Sequence, residues 1–137
     1  MTVEDRATLK AVIVASESAS AAHRAGKLLG DFGLDVSEAE SPARALELLL
    51  QEPADLLVVD VCNSIENREF IDRLIELPIT ARPRELAIFS DMLDDQLRGL
   101  RSRLRPTKVH VFLTPLHMHG LLGVLRQMER QGQPAGA

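Results

Sequence analysis

Asp60 closes a run of four apolar residues, Leu56-Leu57-Val58-Val59, set between Pro53-Ala54 and Asn63-Ser64. Such a run between turn-forming residues reads as a short strand buried on both faces. In an open parallel sheet, ligands and chemistry collect just beyond the carboxyl ends of the strands, so this carboxylate stands where a metal-binding or reactive group would stand. Cys62, two residues on, reads as a small core thiol or as an oxidisable one in the loop beside Asp60. A second constellation is cationic: Arg98, Arg101, Arg103 and Arg105, with Lys108 just after. On one continuous helix, Arg98, Arg101 and Arg105 would fall within an arc of roughly 60° beside a leucine stripe. That stripe reads either as a solvated helix face favoured by the helix dipole or as a docking surface for an acidic partner or a phosphate. His110, His117 and His119 could suggest a metal, but no acid or cysteine stands at ligand spacing, and they read as surface or cap histidines. A Gly-rich phosphate loop and a serine-hydrolase signature are both missing.

The elements that must position these residues follow from periodicity. Ala11 to Ala15 and Leu86 to Phe89 are apolar runs like the one before Asp60, and Val109 to Leu113 completes the set. Leu34 to Glu40 carries a weaker strand signal. Between them, Ala22, Ala25, Leu28, Leu29 and Phe32 recur at helical spacing, with Gly33 placed as a C-terminal cap. Ser41-Pro42 supplies an N-cap and a first-turn proline for a second helix carrying Ala45, Leu46, Leu49 and Leu50. Phe70, Ile71, Leu74 and Ile75 mark a third helix that Pro78 stops. Leu93, Leu97, Leu100 and Leu104 mark a fourth, weakened at Gly99. Met118, Leu121, Leu122, Leu125 and Met128 mark a fifth. Five strands alternating with five helices predict an α/β, doubly wound (βα)5 three-layer sandwich around a parallel sheet. The expected boundaries are a lead-in over 1–9, one domain over 10–130 and a disordered tail over 131–137.

The chain has 137 residues, 45% of them hydrophobic, enough for one sizeable core. A net charge of −4 and the absence of Trp and Tyr argue against nucleic acid as a partner. The single cysteine excludes an internal disulfide, and no apolar run suits a signal peptide or a membrane span. These features predict a soluble cytoplasmic protein.

From Gly33 to Leu46 the chain resembles the second strand and second helix of the receiver domain of bacterial two-component response regulators, and the likeness extends over residues 10–130. The resemblance implies the flavodoxin-like, CheY-like fold with strand order 2-1-3-4-5. It places Asp60 at the phosphoacceptor aspartate, Ser90 at the hydroxyl that ends the fourth strand, and Thr114 at the lysine. Pro115 then matches the proline whose peptide bond is cis in the family. Two adjacent metal-binding acids are replaced by Ser16 and Glu17, or by Ala15 and Ser16 in a register one residue earlier. The aromatic switch falls on Val111 or its neighbour His110, and Ser64 and Arg68 stand where a proline and a glycine are usual.

Phosphoryl transfer to a carboxylate depends on positioning and on stabilisation by metal and cation. Here Thr114 removes the cation, while Glu17, Asp60 and the Cys62 carbonyl could form at most a weak Mg²⁺ site. The sequence thus predicts a stand-alone pseudo-receiver, not an enzyme, that needs no cofactor. It would act in signal transduction by phosphorylation-independent binding of a signalling protein: a histidine kinase, regulator or effector. The expected surface is the fourth helix–fifth strand–fifth helix face, which could also support a homodimer through Leu121, Leu122 and Leu125. Two alternatives stand beside it: a phosphorelay receiver phosphorylated at Asp60 with Mg²⁺, and a cyclic-dinucleotide or anion sensor using Arg98, Arg101, Arg103 and Arg105. The last rests on receiver-like proteins that bind cyclic di-GMP through arginines near that helix.

Overall fold

The computed structural model describes residues 8–14, 20–62, 64–114 and 116–131. Five strands form one parallel sheet: β1 (Lys10–Val14), β2 (Asp35–Ala39), β3 (Leu56–Asp60), β4 (Glu85–Ser90) and β5 (Lys108–Leu113), in the order β2-β1-β3-β4-β5. The α/β fold, its parallel sheet and its strand order are those the sequence led us to expect. Residues 1–7 of the lead-in and 132–137 of the tail lie outside the described residues, as do Ser16, Glu17 and Pro115.

Every residue of β3 and of β4 is buried. Their near-continuous Leu, Val and Ile content follows from this, because helices cover both faces. Helices α1 (Ser20–Asp31) and α6 (His117–Gln131) pack Ala25, Leu29, Leu121, Val124, Leu125 and Met128 against Ile13, Val58 and Phe89. On the opposite face lie α2 (Pro42–Gln51), α3 (Ile65–Ile75), α4 (Asp95–Arg98) and α5 (Leu100–Arg103), with Leu49, Phe70, Leu74, Leu97 and Leu100 over Leu57, Val59, Leu86 and Ile88.

Local sequence explains where the helices start and stop. The Ser41 hydroxyl accepts the Arg44 amide at the head of α2, with Pro42 in its first turn. Gly33, at φ 85°, lies past the end of α1, where Gly33 N–H and Leu34 N–H return to the carbonyls of Gly30 and Leu29. Helix α3 stops at Ile75, and Pro78 instead heads the short 3₁₀ turn Ile79–Ala81.

Two expectations are corrected. The fourth helix is two four-residue helices that meet at Gly99, whose N–H turns back to the Asp95 and Leu97 carbonyls. Leu121 and Leu125 are buried in the core rather than offered as surface for a homodimer, since they are the residues α6 sets down on the sheet. The cis bond expected at Thr114–Pro115 falls outside the described residues; among them, Arg105–Pro106 is cis.

Candidate functional site at the carboxyl edge of the sheet

The ends of β3, β4 and β5 bring Asp60, Ser90 and Thr114 to one edge of the sheet, with Asp60 in register with Phe89 and Ser90 with Leu113. Asp60 is buried, and its Oδ1 accepts the Cys62 amide at 2.9 Å. The buried Asn67 side chain of α3 donates to the Asp60 carbonyl at 2.8 Å, tying the strand end to the helix that follows. The Cys62 thiol lies 3.8 Å from the Phe89 carbonyl. Burial, and then the negative charge of Asp60, push this thiol up from 9.0 to about 12. It is therefore a protonated, unreactive group at neutral pH.

Ser90 Oγ donates to the Met92 carbonyl at 2.7 Å and accepts the Met92 amide at 3.2 Å. Its hydroxyl is thus closed on its own loop rather than pointed at Asp60's second oxygen. Thr114 is exposed, its N–H donates to the Ser90 carbonyl, and its Oγ1 lies 3.4 Å from His117 Nε2. A neutral hydroxyl in that position supplies no cation.

The sequence expectation missed His117. It heads α6, as a cap residue would, but it is buried: its ring stacks on Phe89 at 4.8 Å with an interplanar angle of 5°. Nε2 lies 2.9 Å from the Ser90 carbonyl. A carbonyl only accepts, so that nitrogen carries the proton. The one available signal was His117's spacing three residues beyond Thr114 at the start of an amphipathic helix. His119 is exposed, and His110 turns to the buried Glu85 at 2.9 Å, so the three histidines do not converge. Of the two candidates for the aromatic switch, Val111 faces α4 and His110 the opposite side of the sheet.

Among the described residues no three His, Cys, Asp or Glu side chains are grouped to hold a metal ion. Mg²⁺ asks for near-octahedral oxygen ligands, usually including one or two carboxylates. At this edge of the sheet the described residues offer one buried carboxylate, Asp60, already accepting an amide, with the Cys62 carbonyl beside it. That donor set does not by itself fit the ion.

The four arginines do not share one face. Arg98 and Arg101 line a cleft of about 290 Å³ with Leu93, Leu97, Val109, Val111 and Leu113. Arg103 lines a separate cleft toward α3 and reaches the Gln96 carbonyl at 3.4 Å. Arg105 lies beyond α5, in the turn where its carbonyl accepts from Arg82. The break at Gly99 and the turn before Pro106 disperse a stripe that an unbroken helix would have aligned. On the α3 side, Arg68 pairs with Asp94, which the Leu97 amide, and then Arg68, hold below the ordinary carboxylate range.

No protein-family model and no curated protein matches the chain. Its backbone is similar to solved receiver domains. One is the Francisella response regulator 1452 receiver domain, at TM-score 0.67 and 16% identity over 92% of this chain and 100% of that one. A CheY-like receiver domain from Methylobacillus flagellatus superposes at TM-score 0.66 with 17% identity over 89% of this chain and 99% of that one. A response regulator from Thermotoga maritima superposes at TM-score 0.60 with 24% identity over 90% and 97%. At these identities the similarity establishes the receiver-domain fold.

Proposed function

We propose that this chain, which has the receiver-domain fold, is a two-component signalling module that acts by binding another protein without being phosphorylated. The observation that carries the reading is the closed polar edge around Asp60. The carboxylate accepts the Cys62 amide, the Ser90 hydroxyl is bonded twice to Met92, and a neutral Thr114 stands where a cation would meet a phosphoryl group. An aspartyl phosphate adds charge that positioned cations must balance. Thr114, a neutral hydroxyl, does not supply one. The reading makes the chain a binding protein rather than an enzyme and requires no cofactor. Its partner would be a kinase, regulator or effector of the same signalling class.

Titration of the pure protein with Mg²⁺ and beryllofluoride, followed by amide chemical shifts, tests this. We expect no saturable change at Asp60, Cys62, Ser90 or Thr114. A saturable, Mg²⁺-dependent change that Asp60→Asn abolishes would establish a phosphorylatable receiver instead.

A further inference from the structure

If the chain works by docking, the edge of its sheet supplies the means, and this inference rests on that reading. β5 ends the sheet, so one side of its backbone pairs with β4 and the other pairs with no strand. Lys108 and Thr114 donate their N–H groups to the Arg84 and Ser90 carbonyls. Backbone groups alternate along a strand, so His110 and Phe112 also aim at β4, whereas Val109, Val111 and Leu113 aim outward. Two outward carbonyls are taken: Arg101 Nε donates to Val109 at 3.1 Å, and the Leu116 amide donates to Leu113 at 2.8 Å. Among the described residues no hydrogen bond reaches the N–H or the C=O of Val111. An edge of this kind is a template for another strand unless charge or a covering element blunts it. Arg101 blunts the end near Val109 and leaves the middle open.

The ground beside this edge is apolar and cationic. Leu93 is 43% exposed and Leu113 38%, and both line the cleft that Val109 and Val111 floor. Met92 and Leu116, each 57% exposed, adjoin them, Met92 as the chain neighbour of Leu93 and Leu116 through its N–H bond to the Leu113 carbonyl. Arg98 and Arg101 are the charged residues of that cleft, and none of its lining residues is acidic, in a chain whose net charge is −4. A second copy would bring the same two cations to the seam. An acidic segment from another protein complements them.

We propose that the outer edge of β5 takes up an extended segment of a partner protein, paired through the Val111 backbone. On the face toward α4 the segment carries an apolar residue and, two positions away, an Asp or Glu that meets Arg98 and Arg101. Main-chain pairing supplies the affinity and the cleft reads the alternate side chains.

The test selects a displayed library of random dodecapeptides on the folded protein and titrates synthetic versions of the winners into labelled protein. The expected winners place Asp or Glu two residues from Val, Ile or Leu, slow amide exchange at Val111, and weaken roughly tenfold or more on Arg98→Glu with Arg101→Glu. Methylating alternate peptide nitrogens should abolish binding in one phase of the alternation and spare it in the other, a result that does not depend on any protein variant folding. Val111→Pro, which removes an N–H with no partner, should abolish binding as well. The proposal is overturned if no peptide is selected, if the winners bind as helices, or if binding is indifferent to backbone methylation or to charge reversal. Concentration-dependent dimerisation with Val111 at the seam would overturn it in favour of a second copy. Failure here with continued silence toward beryllofluoride removes the strand addition alone and leaves the phosphorylation-independent reading in place.

Discussion

Asp60 and its neighbours show how a buried polar edge is satisfied by groups of the chain itself. A buried carboxylate needs donors, and the Cys62 amide provides one while Asn67 holds the strand end in place. The same proximity controls the thiol. With its pKa near 12, Cys62 is ionised at pH 8 in about one molecule in ten thousand. Its alkylation by iodoacetamide should therefore run more than roughly a hundredfold slower than that of an ordinary exposed thiol. Asp60→Asn, which removes the charge that is the second cause of the shift, should speed it up, as mass spectrometry would record. The folded thiol keeps its proton to about 12 while the unfolded one releases it near 9.0, so Cys62 makes stability fall as pH climbs from 9 toward 12. The position of Asp60 was legible in the sequence because four apolar residues and a turn announce a strand end. The burial of His117 was not, because it depends on a Phe89 ring and a Ser90 carbonyl that only the folded chain brings near.

At the scale of elements, signals confined to a few neighbouring residues were readable. Ser41-Pro42 and Gly33 each act within one turn, and the structure uses both as expected. The arginine stripe failed because it assumed an unbroken helix from Arg98 to Arg105 through Gly99, and a glycine near an aspartate-capped turn gives the backbone another way to satisfy its bonds. The contact between α6 and β5 was equally hidden. Gly120 lies under the Phe112 ring, where an added Cβ would stand 2.2 Å from a ring carbon. Alanine is the better helix former by about 1 kcal/mol, but overpacking against a ring costs about 1–3 kcal/mol. At 2.2 Å the overpacking wins. Gly120→Ala should lower stability by about 1–2 kcal/mol in urea denaturation, whereas Gly123→Ala, with nothing within 4 Å, should not lower it.

Over the whole molecule, the order β2-β1-β3-β4-β5 sets the least stable and most stable parts of the sheet far apart. β3 is enclosed by β1 and β4 and by helices on both faces, so the Val58 and Val59 amides should exchange with deuterium only through global unfolding. The Val111 amide, in the same sheet but turned outward, should exchange orders of magnitude faster, and heteronuclear spectra after dissolution in D₂O will show the contrast. The strand order came from the receiver resemblance; periodicity alone supported only a parallel sheet wrapped by helices. The hydroxyl of Ser90, bonded twice to Met92, has a consequence for time as well as for chemistry. A phosphorylated switch carries its own clock, set by how fast the acyl phosphate is lost. A module whose pocket is latched shut has no such clock, so under the proposed reading its message lasts as long as the protein does, and cells would adjust it through synthesis and degradation.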